Sequence, residues 1–303
     1  MCQGLAAASW NAMSLPLPAV GDVEGDAVPE GLAVIDAHVH LFPPRVYEAI
    51  WRWFETNAWP IRYPLFADET IAFLRARGVR HLVGLHYSHV PGMARALNAY
   101  AAELASRHPD VSAFGTVLPG EPDAEAIVEE AFDVHGLRGL KLHCHVQQFA
   151  PDDPRLDGVY RLAAKHNRPI VIHAGREPAL PAYKADIRKL CAADAMRRVL
   201  ERHPDLTVIV PHLGADEIPA YGELLDAYPG LYLDTTMMLA DFFPQRPTAA
   251  FLTRHANRIL YGSDFPNLPY AWDRELKKLV GMGLPDEAVA AIAAKNAQRV
   301  LGV

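Results

Sequence analysis

Cysteine is scarce in this chain: three in 303 residues, at positions 2, 144 and 191, with no Cys-x-x-Cys pair. So few, so far apart and odd in number, they argue against a disulfide framework or a thiolate metal cage. They point instead to a reducing cytoplasm. Basic clusters are missing as well. The 29 Lys and Arg residues stand against 36 Asp and Glu, a net charge of −7, and no basic stripe offers itself to nucleic acid or anionic lipid. Part of that imbalance lies in the first 31 residues, where Asp22, Glu24, Asp26 and Glu30 meet no Lys or Arg. No apolar run approaches the roughly 20 residues that cross a bilayer. Met1–Gly31 shows neither a basic n-region nor a clear apolar h-region, so it does not read as a secretory signal. Apolar residues, by contrast, make up 50% of the chain, enough for one large core, and histidine occurs 14 times.

The first 31 residues are rich in Ala, Pro and Gly and carry no sustained period. They read as an irregular arm, expected to be dispensable for folding. Residues 32–303 read as a single domain in which short β-branched runs alternate with amphipathic helical stretches. Strands are expected at 32–37, 80–85, 111–117, 137–142, 169–172, 207–211, 231–234 and 259–262. Most are apolar on both faces, as a strand between a barrel interior and a shell of helices must be. Asp68 is placed to cap a helix ending near Arg77, and Pro91 to open a long helix reaching Arg107. Eight strands each followed by a helix give an α/β fold, a (β/α)8 TIM barrel. A flat doubly wound sheet would need a Gly-rich phosphate loop after the first strand. That loop is absent, and a His-x-His stands there instead.

Two insertions, Phe42–Phe66 and Arg176–Ala185, leave the expected C-terminal ends of strands one and five, where barrel active sites gather, and should wall a pocket. Trp51, Trp53 and Trp59 in the first of them are expected to pack, with one free to line that pocket.

The chemistry lies at the strand ends. Val34-Ile35-Asp36-Ala37-His38-Val39-His40 brings two imidazoles, two residues apart and so on one face, to the barrel mouth. Pro169–His173 and Val208–His212 each end an apolar strand in histidine, and Arg258–Asp264 ends one in a carboxylate. Such groups are costly to bury unless paired or bound to metal. Neutral imidazoles with one carboxylate suit a divalent cation, Zn2+ first, with Mn2+, Fe2+ or Co2+ as alternatives.

The order His-x-His, His173, His212, Asp264 resembles the amidohydrolase superfamily. The phrases Gly139–His143, Pro169–Gly175, His212-Leu213-Gly214 and Tyr261–Pro266 resemble more narrowly its amidohydrolase-related branch. That branch holds aminocarboxymuconate-semialdehyde and γ-resorcylate decarboxylases beside lactone- and ester-cleaving hydrolases. The resemblance implies one metal on His38, His40, His173 and Asp264. It also implies that His212 acts beside the metal-bound water as base or electrostatic partner, with Asp264 also counted as catalytic.

On strand four Lys141, His143 and His145 alternate onto one face. Lys141 is either a buried lysine paired to a carboxylate or, as in binuclear relatives, a carboxylated bridge between two metals. His143, His145, Arg176 and His86 are candidates to touch substrate, with His89 and Lys184 behind them. An arginine there could hold a carboxylate with its two-pronged fork. Asp36 is expected to serve structural hydrogen bonding one layer down, and Asp234 to orient a neighbour.

Two enzymatic readings share this site. The first is a hydrolase using metal-activated water on a small lactone, ester or amide that carries a carboxylate. The second is a non-oxidative decarboxylase. A third reading, a silent barrel serving as a binding scaffold, is disfavoured by five costly polar groups with nothing to do. The partner in view is a small molecule, not nucleic acid or membrane, and association of copies is left open.

Overall fold

Eight short parallel strands organise the computed structural model, which describes residues 17–176, 182–183 and 185–303. They are β1 (Ile35–His40), β2 (His81–Leu85), β3 (Val111–Ala113), β4 (Leu140–His143), β5 (Ile170–His173), β6 (Val208–Val210), β7 (Leu231–Asp234) and β8 (Ile259–Leu260). Each expected strand is present, with ends displaced by a few residues. β1 starts later than expected and runs through both histidines, because its pairing with β2 continues to His40 opposite Leu85.

Strands β1 to β3 pair in sequence, and so do β4 to β8. Backbone bonds close both seams. The Gly115 N–H donates to Gly139 O at 2.8 Å and the Lys141 N–H to Gly115 O at 2.7 Å. On the other side Ala37 N–H reaches Tyr261 O at 2.9 Å and His40 N–H reaches Phe265 O at 2.8 Å. The ring is a closed parallel barrel with no free edge.

Helices α1 (Pro44–Asn57) and α2 (Ala67–Ala76) follow β1, α3 (Ala94–Arg107) follows β2, and α4 (Ala124–Glu129) follows β3. The short α5 (Cys144–Gln147) and α6 (Asp157–Lys165) follow β4, and α7 (Ile187–Leu190) and α8 (Ala193–Arg202) follow β5. Then come α9 (Ile218–Ala227) and α10 (Ala249–Arg254), and after β8 α11 (Arg274–Gly281), α12 (Asp286–Ala290) and α13 (Asn296–Leu301).

Alternate strand residues serve two cores. Ile170, Ile172, Val208 and Val210 pack outward in the large cluster under the helices. Val83, Phe114, Val171, Ile209 and Leu260 meet one another with Ala297 and Leu301 of α13. Side chains from opposite sides of the ring touch only inside it, so this second cluster is the barrel filling. Along β5 Val171 belongs to that filling and His173, two residues on, stands above it at the rim.

Three local expectations change. α2 is capped from Glu69, whose carboxylate accepts the Phe66 N–H at 2.8 Å. Asp68 turns outward to Arg107 at 2.6 Å and His108 at 2.7 Å. The first insertion is largely helix α1, opened by Pro44 at its first position. Leu17–Gly31 is not loose chain. Its backbone bonds to the barrel through Leu17 N–H to Ala58 O, Val20 N–H to Pro269 O and Val28 N–H to Arg77 O, at 2.7, 2.9 and 2.8 Å. Leu17, Val20 and Val28 also pack on the core. Three isolated apolar contacts leave no period in the sequence, which is why the segment read as an irregular arm.

Candidate active site

The C-terminal rim of the barrel gathers the polar groups. His38 and His40 come from β1, His143 and His173 end β4 and β5, and His212 follows β6. Asp234 ends β7 and Asp264 follows β8. All are buried. His212 and Asp264 hold left-handed backbone conformations, φ 57° and 71°. Such conformations are costly for residues with a side chain and are kept where a site over-determines them.

His38 is fixed from both sides. A carboxylate accepts only, so the 2.9 Å contact to Asp234 Oδ2 places the proton on Nδ1. Nε2 keeps its lone pair, 3.5 Å from Asp264 Oδ1 and 3.2 Å from the Lys141 ammonium. Burial, with help from Lys141, lowers the His38 pKa to about 4, so the ring is neutral at pH 7 and fit to ligate. His40 Nε2 lies 2.9 Å from the same Asp264 oxygen. Burial alone would raise Asp264, but His40, His38 and His212 hold it well below the usual carboxylate range.

One donor atom from each of His38, His40 and Asp264 lies within 4.8 Å of the others, a buried set that fits a small divalent cation. His173 lines the same chamber as His40, His212 and Asp264. It also belongs to a second group, His143, His145 and His173, of similar tightness. Burial first, then neighbouring His212, His145 and Lys141, push the His173 pKa well below its ordinary value.

Asp234 also takes the backbone N–H of His212 at 3.2 Å and that of Thr236 at 3.1 Å, so one carboxylate orients β1 and the β6 turn together. His212 places Nδ1 2.9 Å from Thr236 O. A carbonyl accepts only, so Nδ1 carries the proton and Nε2 the lone pair. Asp36 has the structural part expected of it: it accepts the N–H of His38 at 3.1 Å and of Ser263 at 3.0 Å, and the Ser263 hydroxyl at 2.5 Å. Burial outweighs these bonds and raises its pKa to about 7.

Two of the substrate candidates lie elsewhere. The ring of His86 turns to Asn98 of α3, Nε2 to Oδ1 3.3 Å, while Tyr87 and His89 line the cavity. Arg176 is held by Asp216 at 3.3 Å and Glu217 at 2.8 Å, just before α9, so its charge is already answered. Lys184 lies outside the described residues. His143 and His145 do face the cavity.

The cavity has two parts. An inner chamber of about 60 Å3 lies against His40, His173, His212 and Asp264. An outer vestibule of about 740 Å3 runs along α1. Trp53, Phe54, Tyr87, His143 and Tyr183 line both and form the passage between them. Both insertions thus contribute wall residues, as expected. Trp59 adds another ring to the chamber and donates its indole N–H to Asn267 O at 2.8 Å, while Trp51 stacks on Tyr47 at 5.3 Å. Tyr87, Tyr183, Phe243 and Asn267 were not anticipated. Each stands in an irregular segment, where no periodicity says which way a side chain faces.

The match to the amidohydrolase family model runs over residues 35–303. The chain belongs to that family, one of metal-dependent hydrolases and decarboxylases. Among solved structures it is similar to an uncharacterised TIM-barrel protein from Bordetella bronchiseptica, with 22% identity over 89% of this chain and 99% of that one and a TM-score of 0.70. It is also similar to 2,6-dihydroxybenzoate decarboxylase from Rhizobium, 16% identical over 89% and 99% of the two chains, TM-score 0.64. A third is 5-carboxyvanillate decarboxylase from Novosphingobium aromaticivorans, solved with manganese and 4-hydroxy-3-methoxy-5-nitrobenzoic acid. It is 15% identical over 93% and 100%, TM-score 0.66. A search of curated proteins returns no match. No helix among the described residues is long and apolar enough to cross a membrane.

Proposed function

We propose that this amidohydrolase-family enzyme removes CO2 from a small aromatic carboxylic acid without redox change. The observation that carries this reading is the composition of the chamber wall. Trp53, Phe54, Trp59, Tyr87, Tyr183 and Phe243 surround a space whose described lining includes no Arg or Lys. A flat ring would stand in the passage between Trp53, Phe54, Tyr87 and Tyr183, with only its carboxylate end reaching into the chamber of about 60 Å3. A carboxylate held there has lost much of its hydration, and conversion to neutral CO2 relieves that cost. The decarboxylases of hydroxylated benzoates among the similar structures support the same choice, which reverses the order of the two enzymatic readings drawn from sequence.

His38, His40 and Asp264 would hold the divalent cation, with His173 as fourth donor. When bound, the ion supplies positive charge against which the substrate's carboxylate and an adjacent oxygen are held. His212, having taken a proton from water onto Nε2, delivers it to the ring carbon bearing the carboxylate. The carbon–carbon bond then breaks, its electron pair returns to the ring, CO2 leaves, and His212 recovers a proton from water. The aromatic wall excludes bulk water.

Hydroxybenzoic acids are the compounds to screen, with CO2 release and solvent isotopes followed together. In deuterium oxide, CO2 evolution with one deuterium entering the ring carbon is the expected result. Oxygen-18 from water entering the product without CO2 would overturn the reading in favour of hydrolysis.

A further inference from the structure

Beside the His38–His40–Asp264 cluster the rim carries a second group that the proposed reaction does not need as a unit. His143 and His173 occupy matched positions on the neighbouring strands β4 and β5. Parallel register stacks their rings, centroids 3.9 Å apart and planes 13° from parallel, so one ring must turn about its Cβ–Cγ bond for both nitrogens to face a single ion. His145, in the first turn of α5, brings a third ring 4.9 Å from His173 and 5.5 Å from His143. One nitrogen from each lies within 4.8 Å of the other two, and all three residues are buried. His145 Nε2 lies 3.3 Å from Gly175 O. A carbonyl accepts only, so Nε2 carries the proton and Nδ1 the lone pair. Metal-binding imidazoles are commonly held by this kind of outer hydrogen bond.

We propose that His143, His145 and His173 form a second metal site, taking a borderline-soft divalent cation such as Zn2+, Cu2+ or Ni2+ on three imidazoles. The donor set contains no carboxylate. It therefore discriminates against Mg2+, Ca2+ and Mn2+, which favour oxygen, more sharply than the mixed His38–His40–Asp264 cluster does. His143 and His145 line the vestibule, so an ion reaches the triad from solvent without crossing the chamber. His143 also lines the passage inward, and His173 faces both sites. An ion here stands at the chamber entrance and engages the imidazole that the inner cation would use.

The test separates the sites without using activity, so the decarboxylase reading can fail while this one stands. A His38→Ala, His40→Ala variant, folded by circular dichroism, should bind one Cu2+ per chain, with an electron paramagnetic resonance spectrum split by imidazole nitrogens. Adding His145→Ala should abolish that binding. Stoichiometric Cu2+ missing from the double variant, or retained unchanged in the triple one, overturns the site. Wild-type crystals soaked in Zn2+ avoid any question of folding. Anomalous scattering should place an ion among the three imidazoles, and a peak confined to the His38–His40–Asp264 cluster overturns the proposal.

Discussion

Asp234 shows how much one carboxylate does in this barrel. It sets the tautomer of His38 and, through the backbone N–H of His212, the position of the residue proposed to move the proton. His212 is itself oriented by Thr236 O. Replacing it by asparagine preserves a similar volume and some hydrogen bonding but removes a group able to exchange a proton. General acid–base catalysis is typically worth about 10²- to 10⁴-fold, roughly 3 to 5 kcal/mol of barrier. His212→Asn should lose kcat on that scale, while metal content and melting temperature stay near wild type. Loss of metal along with rate would make His212 a ligand and end the proton-transfer assignment. His38, His40 and His173 were legible as rim residues because they lie in or end short apolar strands, and His212 and Asp264 because each follows one within a few residues. His86 and Arg176 also follow strands, yet their side chains turn to nearer partners, Asn98 for the first and Asp216 and Glu217 for the second. Position after a strand end places a residue near the rim without saying which way its side chain faces.

Among the elements, the loop after β7 joins catalytic geometry to the outer shell. Met237 and Phe243 from that loop line the chamber. Glu275, buried in the first turn of α11, accepts the Tyr270 hydroxyl at 3.0 Å. Burial pushes its pKa well above the ordinary 4.5, against hydrogen bonds from Tyr270 and from the backbone of Met237 and Leu239, which pull it down. A group whose folded pKa is raised stabilises the fold fully below its unfolded value, and that contribution is lost as pH rises towards the folded one. Glutamine retains an accepting carbonyl and has no charge to desolvate. Thermal melts of Glu275→Gln and wild type between about pH 5 and pH 8 should therefore diverge, the variant gaining on wild type as pH rises. A constant gap, or one that closes upward, would mean that the carboxylate is compensated in the fold. Strand positions were readable because apolar β-branched runs have a period and a length. Helix α1 was not, since its aromatic face is shared between the core, through Tyr47, and the cavity, through Trp53 and Phe54, and so reads as an aromatic loop.

For the whole molecule, the segment 17–31 acts as a strap between two distant parts of the chain. Asp22 bonds Arg62 at 3.0 Å beyond α1, and also Arg274 at 3.1 Å and the Ala271 N–H at 2.9 Å after β8. Its pKa is lowered: partial burial would raise it, but the Ala271 N–H and Arg274 outweigh that. Gly25 accepts the Trp272 indole N–H at 2.9 Å and donates its own N–H to Asp273 at 2.9 Å, and Glu24 takes the Tyr63 hydroxyl. The strap therefore spans the first and last strand-end loops, next to Trp59 and Asn267 of the chamber. Individual hydrogen bonds net only about 0.5 to 1.5 kcal/mol, and ordering the strap offsets part of their sum. With three apolar contacts added, removal of Met1–Val28 should cost about 3 kcal/mol. At roughly 2 °C per kcal/mol for a chain this long, melting should fall by about 6 °C. The acids in this segment gave no sign of anchoring an arm because their partners, Arg62 and Arg274, lie far away in sequence. An unchanged melting temperature after the deletion would restore the dispensable arm expected from composition. A fall suppressed by Asp22→Asn in the full-length chain, leaving little more to lose on truncation, would locate the effect in the Asp22 bridge instead of in the apolar contacts.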